Sequence, residues 1–196
     1  MNTPALTESG SCDIAFKEWA GICQALEAGQ QSIILRKGGI AEAQGRFTPE
    51  HARFWLFPTY THQQAQGLRV VAPDEPTDPR IAITGLAEVV HVIRLENLAQ
   101  VRALDCFHLW TPETLESRFR YRTPGLWLLT VRVYKRPEIF WLAQRPEFQG
   151  CHSWVPLPEP ISMAGLVPVL SDVDHHAAIT SIQQALDAIP PGASHE

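Results

Sequence analysis

Arg36-Lys37-Gly38-Gly39 follows directly on the apolar run Ile33-Ile34-Leu35. Glycines after a strand let backbone N–H groups approach an anion, and Arg36 and Lys37 would supply charge to a phosphate or carboxylate. Downstream, Glu42, His51 and His62 are groups able to move protons near neutral pH, and Pro58-Thr59-Tyr60-Thr61-His62-Gln63 adds a ring and hydrogen-bonding side chains. The plain alternative is a strand, a tight turn and a solvated polar loop. No G-x-G-x-x-G, Walker, G-x-S-x-G or H-E-x-x-H pattern occurs, so common nucleotide-binding folds, serine hydrolases and zinc peptidases gain no support.

A second constellation is Arg118-Phe119-Arg120-Tyr121-Arg122 with Arg132-Val133-Tyr134-Lys135-Arg136. Strand alternation would put Arg132, Tyr134 and Arg136 on one face. Guanidinium groups that meet phosphates, beside rings that stack on bases, are the means by which single-stranded nucleic acid is held. The combined expectation is a nucleic-acid- or nucleotide-binding cleft, RNA favoured. In it Arg36, Lys37, Arg120, Arg132 and Arg136 contact phosphate and Gly38 and Gly39 form the turn. Tyr60 and Tyr121 stack on bases, and His62 and Gln63 read base edges. Cations against a helix end and a charge-guarded sheet edge would explain the same residues. A different class of function, a small hydrolase or nuclease, would use His51 or His62 with Glu42 on an anionic substrate. A third is an interaction module exposing Trp55, Trp110, Trp127 and Trp154, which core packing also explains. Cys106 and His108 with Cys151 and His152 lack ordinary zinc spacing, buried thiols being the simpler account, and no motif calls for a cofactor.

The elements that would carry these groups follow from periodicity. Phe16, Trp19, Ile22, Cys23 and Leu26 have helical spacing, predicting an amphipathic helix over Asp13 to Glu27, capped by Ser11 or Asp13 and stopped at Gly29. Strands are expected at Ser32 to Arg36, Phe54 to Phe57 (stopped by Pro58), Glu88 to Leu95, Cys106 to Trp110 and Gly125 to Arg136, with a shorter apolar run at Ile139 to Leu142. Residues 41 to 53 read as a polar loop. Leu98 to Leu104 reads as a short helix, Thr111-Pro112-Glu113 as the start of another, and Asp174 to Ile189 as the last. Three prolines and three acids between Ala72 and Arg80 mark an exposed connection.

With 196 residues, 45% of them hydrophobic, the chain can bury one sizeable core. A single domain is expected over residues 12–190, with flexible termini at 1–11 and 191–196. The net charge of -5 argues against indiscriminate polyanion binding, yet 118–136 holds six cations and no acid. No signal-like segment opens the sequence, no apolar stretch is long enough to span a bilayer, and four scattered cysteines read as reduced thiols. A cytoplasmic, soluble protein with a possible RNA or nucleotide ligand and no membrane partner is the expectation.

Four stretches, Ala15-Phe16-Lys17-Glu18-Trp19, Leu35-Arg36-Lys37-Gly38-Gly39-Ile40, Phe54-Trp55-Leu56-Phe57-Pro58-Thr59-Tyr60 and Gly150-Cys151-His152-Ser153-Trp154-Val155, resemble the landmarks of a bacterial family known as domain of unknown function 1802. The resemblance runs from about Ile14 to Leu186 and implies no activity. Helix, glycine and strand at Leu26 to Arg36 are also similar to the ASCH branch of the PUA-like barrels. That likeness implies an α+β fold, a mixed, largely antiparallel sheet or small barrel flanked by an N-terminal and a C-terminal helix. It also implies a nucleic-acid or nucleobase cleft. The branch's Gly-x-Lys-Thr-x-Glu-x-Arg wording reads Gly29-Gln30-Gln31-Ser32-Ile33-Ile34-Leu35-Arg36 here, without its lysine and glutamate, so the likeness implies binding rather than hydrolysis.

Overall fold

Residues 10–37, 50–60 and 67–189 are described by a computed structural model. The first element departs from its periodicity: β1 (Ser11–Trp19) is a strand, and α1 (Ala20–Glu27) begins only after it. The cause is tertiary. β1 lies between two other strands, and its last five residues are buried, Phe16 in one core cluster and Ala15 in another. A strand that serves two cores has apolar residues at consecutive positions, which a helical spacing can imitate. Ser11 and Asp13 therefore lie in the strand and cap nothing. Gly29 does end the helical turn, with φ +71°, where a side chain would be strained and a Cβ would meet Leu170.

The sheet runs β2 (Ile33–Arg36), β5 (Leu126–Leu142), β4 (Ile81–Leu95), β3 (Arg53–Thr59), β1, β6 (Trp154–Ser162), with β7 (Val167–Pro168) on β5. Among the described residues only β1 with β3 is parallel, so the sheet is mixed and largely antiparallel, as expected. Pro58 does not stop β3. Pairing to β4 has ended by Trp55, and β3 continues beside β1 through Thr59, where a missing N–H disturbs no ladder with β4. The two apolar runs expected at 125–136 and 139–142 are one strand, β5, paired along its length with a bulged β4. The expected strand at Cys106 to Trp110 is a 3-10 turn at Asp105–Phe107 and a lone bridge from Trp110 to Leu68. Trp110 is fully buried, so its apolar neighbourhood plugs the core and builds no ladder. β6 was not anticipated: prolines at 156, 158 and 160 occupy every second position of this outermost strand.

The helices α2 (Leu98–Ala103), α3 (Pro112–Arg120) and α4 (Asp172–Asp187) complete the α+β fold. Thr111 caps α3 through its side chain with Pro112 at the first turn, as its sequence predicts. All four helices give side chains to the larger cluster, among them Ile22, Val101, Phe119 and Ile182. The smaller cluster is built from strands with Phe148 and Met163. The sheet curls until its outer strands meet: Arg36, ending β2, donates to the Ser153 hydroxyl just before β6 at 3.0 Å and 2.9 Å. That junction forms one wall of a cleft. Among the described residues, no helix is long and apolar enough to cross a membrane.

Candidate functional site

Where β1 and β3 end side by side, in the register Glu18↔Pro58 and Trp19↔Thr59, a cleft of about 860 Å³ opens. β1 contributes Lys17, Glu18 and Trp19, and β3 leads into it with Phe57 and Tyr60. Arg36 and Lys37 come from the end of β2, Arg118 from α3, and Arg145, Cys151 and His152 from the β5–β6 connection. The lining holds five Lys or Arg side chains against two carboxylates, Glu18 and Glu75, in a chain whose overall balance is acidic.

Glu18 is the centre of the arrangement. Its side chain is fully buried, Oε1 accepts from the Trp19 N–H at 2.8 Å, and Oε2 lies 3.8 Å from Arg36 Nη1. Among the described residues Oε2 makes no hydrogen bond. The backbone is pinned as well: the Glu18 carbonyl accepts from Thr59 Oγ1 at 3.1 Å, which ties β1 to β3 at the cleft floor. A buried carboxylate requires cations, and two guanidinium groups supply them. Arg36 lies over the Phe16 ring at 4.9 Å and Arg118 over Trp19 at 4.3 Å. Burial lowers the Arg118 pKa to about 10, with Glu18 opposing that shift and the Arg36 charge adding to it. The two cations are thus close enough to feel each other and share one counter-ion.

Lys17 donates to the Gly150 carbonyl at 3.0 Å, and burial, reinforced by Arg36, lowers its pKa despite the nearby Cys151 thiol. Gly150 holds φ +95°, a conformation that favours glycine and turns that carbonyl toward the lysine. Lys37 is spent differently. Its ammonium donates to the carbonyls of Phe119, Thr123 and Gly125, joining the end of α3 to the start of β5, and burial lowers its pKa to about 8. It adds charge to the wall, but its three protons have backbone acceptors. The Tyr60 pKa is raised by burial and by Cys23 and Glu75.

Of the expected site residues, Arg36, Lys37 and Tyr60 line the cleft together. Gly38, Gly39, Glu42, His62 and Gln63 lie outside the described residues. His51 packs edge-on against Trp154, ring centres 4.8 Å apart, and is not in the lining. The 118–136 segment divides. Arg118 enters the cleft, whereas Arg120 pairs with Glu116 on the surface and Tyr121 is exposed beneath Arg122. Arg132 pairs with Asp172 and lies over Tyr134, and Arg136 donates to the carbonyls of Glu138 and Ser162 over the Trp55 ring. Neither of these lines the cleft, which corrects the expectation of one site shared by Arg36 and Arg132. Arg132 Nη2 and Arg136 Nε and Nη1 have acceptors within the fold, while the buried Arg132 Nε makes no hydrogen bond among the described residues.

Lys17, Glu18, Trp19, Arg118 and Arg145 were not among the expected site residues. The signal for the first two was a charged pair, Lys17-Glu18, inside an otherwise apolar run, hidden by the helical reading. Among the described residues no three His, Cys, Asp or Glu side chains converge as metal ligands. Cys106 is exposed on its 3-10 turn and His108 buried beside Trp110, while Cys151 and His152 belong to the cleft.

No curated protein matches the chain. Among solved structures, it is similar to the crystal structure of ASCH from Zymomonas mobilis, with 10% identity over 85% of this chain and 93% of that one, at a TM-score of 0.46. A Y47F mutant of that protein gives 11% identity, 85% and 96% coverage, and a TM-score of 0.42. Residues 15–180 match the family described as "Domain of unknown function (DUF1802)", a span holding every cleft residue named above, and the chain belongs to that family.

Proposed function

We propose that the cleft binds a nucleotide or a nucleic-acid segment, RNA favoured, with Arg36, Arg118, Lys17 and Arg145 meeting phosphate and Tyr60 offering a ring for stacking. The observation that carries this reading is the concentration of five cations in one cleft of an acidic chain, beside the rings of Trp19, Phe57, Tyr60 and Phe148. Charge lining a concave, partly apolar site suits a planar anionic ligand. The hydrolase reading gains nothing comparable, since His51 faces Trp154 and its other residues lie outside the described ones. An RNA ligand and four free cysteines both suit the bacterial cytoplasm, where we place the protein.

The test is binding of labelled single-stranded RNA across a salt series. Neutralising about four phosphates on a single strand should make log K fall by roughly three per unit of log[salt]. Tight binding without salt dependence, or no binding at low salt, would sink the reading.

A further inference from the structure

We propose that a small cavity between the end of α1, β5 and the start of α4 holds one water molecule that bridges Arg132 Nε and His175 Nε2 and helps to seat the first half of α4 on the sheet. The cavity measures about 10 Å³ and shares no lining residue with the cleft. A buried water needs roughly 10–15 Å³ and about two to four polar partners, so a single water is the largest guest this space takes. Its walls are mostly apolar, Leu26, Val133, Val169 and Leu170 among them, but Arg132 and His175 line it too. Each of these two presents a buried nitrogen, Arg132 Nε and His175 Nε2, with no hydrogen-bond partner among the described residues. Buried polar atoms are ordinarily matched, by protein or by ordered water. Two unmatched ones on the wall of one cavity point to a partner they share.

Donors and acceptors decide what that partner is. Arg132 Nε carries a proton and can only donate, whereas His175 Nε2 offers a lone pair or an N–H according to its tautomer. Water both accepts and donates, so it meets either form. Burial and then the Arg132 charge lower the His175 pKa, which keeps the ring uncharged near neutrality. An anion has less to gain there, because Arg132 already pairs with Asp172 through Nη2. The consequence falls on α4. Of its 16 residues only His175, Ile182 and Leu186 are buried, and the last two belong to its second half. Its first half meets the sheet through the Arg132–Asp172 pair, the His175 ring and a partly buried Ile179. The bridging water gives this largely polar seat the hydrogen bonds it otherwise lacks.

The experiment records nuclear Overhauser contacts between water and the Arg132 Nε–H proton in the full chain, the signal being assigned by its loss in Arg132→Lys. A contact of the sign given by a long-held water, opposite to that of passing surface water, is expected. A crystal structure should show one oxygen within hydrogen-bond reach of both nitrogens. His175→Leu removes one of the two partners, and in the folded variant the water contact should be lost. Should that variant not fold, the wild-type contact and the crystallographic oxygen still decide. A direct Arg132–His175 hydrogen bond with no oxygen between them, or an Nε–H proton without contact to water, overturns the proposal. Survival of the contact in folded His175→Leu overturns the bridge. An anomalous bromide peak at the site, in crystals grown with bromide, overturns water as the occupant.

Discussion

The cleft around Glu18 and the stretch of β5 from Arg132 to Arg136 hold the same ingredients, guanidinium groups lying on aromatic rings, and differ in what those groups face. Arg132 meets Asp172, and Arg136 meets the carbonyls of Glu138 and Ser162. Arg36 and Arg118 instead share one buried carboxylate at the floor of a cavity that also holds Lys17. A basic, aromatic-rich stretch therefore does not identify a binding surface. What distinguishes the two regions is whether the cations line the cleft, as Lys17, Arg36 and Arg118 do and Arg132 and Arg136 do not.

The largest effect expected is on the cleft. Arg36→Gln combined with Arg118→Gln should weaken RNA binding by about 100-fold, two lost charge-assisted contacts, in an anisotropy titration at fixed salt. Retention of affinity would put the ligand elsewhere and break the contrast. Arg136→Ala should do the reverse. Losing two donations to backbone carbonyls should cost about 2 kcal/mol of stability in urea unfolding, with affinity unchanged. A smaller effect sharpens the same contrast through pH. His175, at the start of α4, is buried, and burial, then the Arg132 charge, lowers its pKa. The folded state thus holds fewer protons than the unfolded chain just below the unfolded histidine's pKa of about 6.5, and stability falls as pH drops through that value toward the lower folded one. His175→Gln should flatten unfolding midpoints between pH 7 and 5. An unchanged slope would show that this side of β5 is not where acid sensitivity resides.

Much of this was legible in the sequence where local rules and tertiary packing agree. Thr111-Pro112 announced α3, Gly29 ended α1, and Arg36 stood at a strand end beside the cleft. The failures share a cause. At Phe16, Trp19, Ile22, Cys23 and Leu26 one helical rhythm covers two elements, because a strand buried on both faces shows no alternation. Lys17 and Glu18 were thereby assigned to a helix face instead of the floor of a cavity. β6 was missed because Pro156, Pro158 and Pro160 argue against a strand, and only the sheet order shows that it sits at an edge where proline is tolerated. The division of 118–136 depended on partners distant in sequence, Asp172 and Ser162, that no inspection of the segment itself could supply.

Those three prolines have a consequence for how the molecules behave in company. An outermost strand ordinarily presents a row of N–H and C=O groups to which another chain can add a strand of its own. Here three successive alternate residues carry no proton to give, so a second copy approaching β6 finds an interrupted template. Crowded together, these proteins should resist joining sheet to sheet along that border, and the fold keeps its curled shape without offering that side as a seed for fibres.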